Sequence, residues 1–251
     1  MEDNEGEHPK QYHGCVLGAT GFMGIQLVVE LLESRKWVVN TVTRRTLVIP
    51  ESLYVHQIED EKNGTLNQHV VDFATISQQE SVFKGNDVLF CLLSPSKSLL
   101  SEAKTDDEMR TVFSDMRHLS RKVFSTAQKA GIPFLSLLSC KGAFQYSGNL
   151  WLQNKGDVEE IAKRTGFDCI SIFRPGATIK KDAEGLSGLL LNSVSNPLSV
   201  KAIVHAIRLE AELHINQARN GTNRVNVYEH DDIKSLYEFI VCSDEWESIE
   251  K

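Results

Sequence analysis

The stretch LGATGFMG, residues 17–24, decides how the rest of the chain is read. It follows a short apolar run, GCVLGAT (14–20), and opens an amphipathic segment, FMGIQLVVELLES (22–34). Gly18, Gly21 and Gly24 stand in the spacing G-x-x-G-x-x-G at this expected strand-to-helix junction. Each has a physical use there. The first permits a sharp turn, the second lets backbone approach a pyrophosphate, and the third lets the helix pack tightly on the sheet. Phosphate would sit at the helix N-terminus, where free N–H groups and the positive dipole end favour an anion. The pattern therefore predicts dinucleotide binding at the first β-α unit.

Outward from this turn, short apolar runs alternate with longer amphipathic segments, as in a parallel sheet wound with helices. Strands are expected at WVVNTVT (37–43), HVVDF (69–73), DVLFCLL (87–93), PFLSLLS (133–139) and DCISIFRPG (168–176). Helices are expected over 106–131, closing on Gly131, and over NLWLQNKGDVEEIAKRTG (149–166). Beyond them come a helix at 199–215, a strand at 223–229 and a terminal helix at 231–241. The expected fold is α/β, a doubly wound parallel sheet with helices on both faces. Residues 1–13 read as a disordered acidic tail, and 14–251 as a single domain whose C-terminal lobe spans roughly 177–251.

Composition narrows the partners. A chain of 251 residues suits one large domain with a substantial core. A formal net charge of −7 argues against a surface built around nucleic-acid phosphates. No apolar run approaches the roughly 18 residues of a membrane span, and no secretory leader is visible. The five cysteines, at 15, 91, 140, 169 and 242, are scattered, which fits a reduced, intracellular protein. With no H-E-x-x-H and no C-x-x-C, a metal site is not expected.

The end of the second strand selects the nucleotide. An NAD site usually carries Asp or Glu there. This chain has Thr43, Arg44 and Arg45, and paired guanidiniums suit a 2′-phosphate and the adenine face. NADP(H) is the expected cofactor. Asp72, with Phe73 beside it, either meets the adenine or caps a turn.

Taken together, GATGFMG, TRR, VVDF, FKGNDVLFCLL, LLSCKGA, NLWLQNKGDVE and FRPG resemble the short-chain dehydrogenase/reductase superfamily. The similarity is to its atypical branch, and within that to the Tat-interacting-protein oxidoreductase family, also described as metastasis suppressors. It covers most of residues 14–241. It implies a Rossmann fold with a small C-terminal substrate lobe, bound NADPH and a cytosolic or nuclear location. It also implies a reductase-like site for a carbonyl substrate, and regulatory roles through protein partners. Carried over by position, phosphate contacts fall on Thr20, Gly21, Phe22 and Met23, and the 2′-phosphate on Arg44 and Arg45. Leu93 and Ser94 lie under the nicotinamide ribose. The family usually has glycine where this chain has Ser94, whose hydroxymethyl group would crowd the cofactor. Thr178 approaches the nicotinamide end, and Ser139 matches the substrate-polarising serine.

The same resemblance exposes a departure. The superfamily sets a tyrosine and a lysine one turn apart, in Y-x-x-x-K, so that both share a helix face. The lysine holds the ribose hydroxyls and lowers the phenol's pKa for proton transfer. This chain keeps Lys155 and presents Trp151 at the tyrosine position. An indole N–H donates a hydrogen bond but does not ionise near neutral pH. Trp151 either fills a helix-face core position or stacks on a flat ligand. Tyr146, in the preceding loop, is one replacement phenol, and Ser139 with Lys141 or Lys155 is another proton path. Cys140 is either a redox thiol favoured by Lys141 or an inert thiol at the strand end. Two readings stay open: a carbonyl oxidoreductase with weak or altered acid chemistry, and a catalytically inactive NADPH-sensing regulator.

Overall fold

The computed structural model describes residues 11–179 and 197–238. The glycine-rich turn joins β1 (Tyr12–Leu17) to α1 (Phe22–Glu33), and β2 (Trp37–Thr43) follows. A short α2 (Gln57–Asn63) precedes β3 (Leu66–Val70), and two 3-10 turns, Phe73–Gln78 and Glu80–Phe83, lead to β4 (Val88–Cys91). Then come α3 (Lys97–Glu102), α4 (Asp106–Lys129), β5 (Phe134–Leu138), α5 (Leu150–Lys163) and β6 (Cys169–Arg174). Two short strands, β7 (Thr178–Ile179) and β8 (Leu198–Ser199), pair with each other. Helix α6 (Val200–Arg219) and β9 (Arg224–Glu229) follow, and residues 230–238 are helical.

Seven strands form one parallel sheet in the order β3-β2-β1-β4-β5-β6-β9. The order reverses between β1 and β4, which makes a crevice at the carboxyl ends of those strands. The central strands are buried along their length, as parallel strands covered on both faces must be. One face packs Leu27, Leu31, Ile203 and Ile207 from α1 and α6 against Val16, Phe90 and Phe134. The other packs Val123, Phe124 and Val158 from α4 and α5 against Leu89, Leu135 and Ile172. Helix α4 starts on a reciprocal capping box, with Thr105 bonding the Glu108 backbone and Glu108 the Thr105 backbone.

Several expected boundaries move, each for a local reason. Strand β1 begins at Tyr12, inside the segment read as a tail, because Tyr12 pairs in register with Trp37 and its N–H donates to the Lys36 carbonyl at 2.9 Å. It ends at Leu17, since Gly18 turns the chain with φ of +81°. The third strand lies at Leu66–Val70 rather than 69–73. Asp72 leaves the ladder by accepting a hydrogen bond from the Ala74 N–H at 2.9 Å, which starts a 3-10 turn. Of the stretch assigned to a C-terminal lobe, β9 joins the main sheet beside β6, and α6 covers that sheet. Residues 1–10, 180–196 and 239–251, which hold most of the expected tail and the end of the terminal helix, lie outside the described residues.

Gly24 makes the tightest contact of the turn. A Cβ there would stand 2.1 Å from the Gly18 carbonyl oxygen, a backbone atom that cannot rotate away. Gly24→Ala must therefore push α1 off the turn. It is expected to cost about 3 kcal/mol, the upper part of the overpacking range. Urea unfolding measures this; a variant with an unchanged midpoint would show that this close approach is dispensable.

Candidate functional site

A cavity of about 320 Å³ opens at the carboxyl ends of the strands, beside the glycine-rich turn. Phe22 and Met23 from the first turn of α1 form one wall, and Ser94, just past β4, another. Ser139 and Cys140 sit beyond β5, Trp151 and Lys155 on α5, and Thr178 on β7. The fold thus brings together residues separated by more than 150 positions in the sequence. A larger depression of about 810 Å³ lies near Gln11, Glu33 and Thr65, at the amino ends of the strands. Ligands of open α/β sheets bind at the carboxyl ends, which makes the smaller cavity the candidate site.

Local sequence positions the helix that carries the key pair. Asn149 caps α5, its side-chain oxygen accepting from the N–H groups of Trp151 at 2.9 Å and Leu152 at 3.2 Å. The pair at Trp151 and Lys155 then falls on one face, with Lys155 Nζ 5.4 Å from the indole centroid. The indole edge meets Phe113 of α4, with centroids 6.1 Å apart. Trp151 is therefore packed as an aromatic wall and not as an acid.

Lys155 is buried, and its ammonium donates to Ser94 Oγ at 3.1 Å and, more weakly, to the Leu138 carbonyl at 3.4 Å. Burial pulls its pKa below the usual lysine value, against the opposing pull of Cys140, Cys91 and Glu159. With two named protein acceptors for three N–H donors, it retains one for a ligand. The expected crowding at Ser94 takes another form here, since the hydroxyl is engaged by Lys155.

Ser139 lines the cavity beside Lys155, but its hydroxyl is already engaged. Its hydroxyl donates to Glu159 Oε1 at 2.5 Å. The same carboxylate takes a two-point grip from Arg174, at 3.0 Å from Nε and 2.6 Å from Nη2, and Arg174 also pairs with Glu229 at 2.8 Å. These partners raise the Arg174 pKa further, hydrogen bonding to Glu159 foremost. A serine that has given its one proton to a buried carboxylate cannot also polarise a carbonyl with it.

For two other groups the fold favours one of the open alternatives. Tyr146 is 76% exposed and stacks edge-on to Phe144, outside the cavity. Cys140 lies by Lys155 and the Trp151 N–H, yet burial outweighs both and raises its pKa, which favours the inert thiol over a reactive thiolate.

On the nucleotide side, Gly21 caps α1 without a side chain, and no acidic residue occupies the first turn, which leaves that end suited to an anion. Thr20 lies within the turn. Arg44 and Arg45 are exposed in the bend after β2, which is held by the Thr43 hydroxyl donating to the Arg45 carbonyl at 2.7 Å. Neither guanidinium forms an ion pair among the described residues. Asp72 is the turn cap of the two roles considered, with Phe73 half-buried behind it. Leu93, partly buried beside Ser94, packs on the core under α4. The uncapped helix start, the arginines without an ion pair among the described residues and the spare lysine proton are compatible with a nicotinamide dinucleotide.

No family model matches the chain. Over 173 residues it is 32% identical to Protein HTATIP2 of Rattus norvegicus, an alignment covering 69% of this chain and 65% of the rat protein, just under two thirds of that relative's length. The chain thus resembles that relative over most of its own length and shares its fold with short-chain dehydrogenases/reductases. A second relative, Protein FMP52, mitochondrial, of Candida albicans, is 26% identical over 185 residues, covering 72% of this chain and 74% of its own. Among solved structures, the UDP-glucose-4-epimerase of Stenotrophomonas maltophila with bound NAD superposes with a TM-score of 0.62 at 15% identity, over 87% of this chain and 77% of that one. A wide-type short-chain dehydrogenase/reductase of Veillonella parvula in complex with NADP gives 0.57 at 13% identity, over 86% and 93%. At such identities these likenesses speak to the fold alone.

Two side chains that bear on Ser139 are not among the site residues expected from the sequence. Glu159 and Arg174 control Ser139, yet neither stood out as functional. Glu159 is four residues after Lys155, hence on the same face of α5, and that spacing was a usable signal. Arg174 lay within FRPG, whose side-chain partner is a tertiary matter. Among the described residues, no helix is long and apolar enough to cross a membrane.

Proposed function

We propose that the chain is an atypical short-chain dehydrogenase/reductase that binds NADP(H) and acts on a carbonyl substrate with weak or altered proton chemistry. The observation that carries this reading is the asymmetry of the cleft. Its nucleotide half has an uncapped helix start, two unpaired arginines and a buried lysine. Its acid half has an indole where a phenol normally ionises. The dinucleotide, when bound, supplies a hydride. Lys155 would hold ribose hydroxyls with its remaining donor, while Trp151 and Phe22 exclude water from the nicotinamide end.

Paired substitution Arg44→Ala with Arg45→Ala tests the choice of nucleotide. A charged hydrogen bond contributes about 1.5–3 kcal/mol, so NADPH affinity should fall at least tenfold while NADH affinity changes little. Calorimetric titration with both nucleotides measures this; an equal loss for both, or none, would remove the arginines from 2′-phosphate recognition.

A second reading is supported by the Ser139–Glu159–Arg174 linkage, which withholds the usual polarising hydroxyl. On that reading the chain is a catalytically inactive NADPH sensor that passes occupancy to a protein partner. Tight NADPH binding with no turnover on a broad carbonyl panel would select it over the first.

A further inference from the structure

Three hydroxyl groups line the cavity, and their protons have different fates. Ser139 gives its proton to Glu159, and the Thr178 hydroxyl donates to the Gly176 carbonyl at 3.3 Å. Each has only one to give. Ser94 differs. Its Oγ accepts from Lys155 Nζ at 3.1 Å, its own proton meets no acceptor among the described residues, and its side chain is exposed at the cavity wall. An ammonium behind a hydroxyl that is still free to donate is the relation a lysine bears to a catalytic phenol. Here the helix offers an indole instead, and the hydroxyl arrives from the loop after β4.

We propose that Ser94 is the proton donor of this site, relaying a proton from Lys155 to the carbonyl oxygen of the substrate. The proposal rests on the reading of the chain as an NADP(H)-dependent carbonyl reductase. As the carbonyl carbon gains the hydride of the dinucleotide, the C=O π pair moves onto oxygen. That oxygen takes the Ser94 hydroxyl proton, and the Ser94 O–H bond breaks while a Lys155 N–H proton passes to Oγ. Ser94 is thereby restored. Lys155 leaves as a neutral amine and regains its proton from bulk water. Burial beside Cys91 of β4, Cys140 beyond β5 and Glu159 of α5 makes this ammonium a better acid than a solvated lysine, because burial outweighs those neighbours. A serine hydroxyl is a poorer acid than a phenol, so the path is slow, in keeping with weak chemistry.

Ser94→Gly and Ser94→Ala in the full chain test this, with three readouts: NADPH binding by thermal shift, NADPH-dependent turnover on a carbonyl panel, and the pH midpoint of Lys155 acylation without dinucleotide. The relay predicts turnover at least tenfold lower in both variants, with NADPH binding unchanged or tighter. It also predicts an acylation midpoint at lower pH in Ser94→Ala, because the acceptor that stabilises the ammonium is gone. In a Trp151→Tyr background, Ser94→Ala should cost a much smaller factor, since a phenol then competes as donor. Rising turnover in Ser94→Gly would mean that Ser94 only crowds the cofactor, and would overturn the relay. So would an unmoved Lys155 midpoint, or a native chain that binds NADPH and turns over nothing. Failure of the native chain to bind NADPH is a different result: it overturns the cofactor reading itself, and the relay with it.

Discussion

Under the proposed function, Trp151→Tyr is expected to raise NADPH-dependent carbonyl reduction by about 10²–10⁴-fold over the native chain, the usual contribution of a positioned general acid. The helix is already prepared for it. Asn149 fixes the first turn of α5, Phe113 provides an aromatic edge for the new ring, and Lys155 stands one turn away with its charge 5.4 Å from the present ring centre. A phenol in that place would have its ionised form stabilised by the ammonium, which lowers its pKa toward the working range. Turnover on a panel of aldehydes, ketones and enones, set against Lys155→Ala as the inactive control, measures the gain. If the rate does not rise while NADPH still binds, the defect lies with Ser139, whose proton belongs to Glu159.

Arg174→Met is expected to destabilise the protein by about 3–5 kcal/mol, the cost of leaving one member of a buried pair without its partner. Glu159 has a side chain only 2% exposed, and Arg174 gives it two hydrogen bonds from one guanidinium. Without them the carboxylate keeps, among the described residues, the Ser139 hydrogen bond. Replacing both ends, as Glu159→Leu with Arg174→Met, should recover most of the loss, because well-packed apolar groups can take the place of a buried pair at little cost. Urea denaturation of the two variants decides it. Equal instability in both would mean that the packing of these side chains, and not the unpartnered charge, sets the cost. The double variant also frees the Ser139 hydroxyl from its carboxylate, so its turnover reports whether that linkage restrains catalysis.

How far the sequence could be read follows from the kind of interaction at each place. The glycine turn and the central strands were legible because a buried parallel strand writes itself as a continuous apolar run, as VLFC and CISIF do. Strand β3 was misplaced because its middle residues, Asn67, Gln68 and His69, are polar and half-buried. Gln68 has a tertiary use there, accepting the Leu47 N–H at 2.7 Å and so tethering the loop that follows the arginines. Helices α2 and α3 are short and have no buried residues, so they leave no apolar stripe to read. In the site, Trp151 and Lys155 were legible by their spacing on one helix. The partners of Ser94 and Ser139 were not, since each hydroxyl meets a side chain at least 20 positions away and local pattern carries no trace of it.

The most direct test is a thermal titration of the native chain with NADPH and, in parallel, with NADH. A ligand that binds only the folded state stabilises it by RT ln(1 + [L]/Kd), about 2.7 kcal/mol at a hundredfold excess over Kd. The nucleotide cleft described here predicts a saturable rise in melting temperature with NADPH, reached at lower concentration than any rise with NADH. A melting temperature indifferent to NADPH, or one raised more readily by NADH, would contradict it.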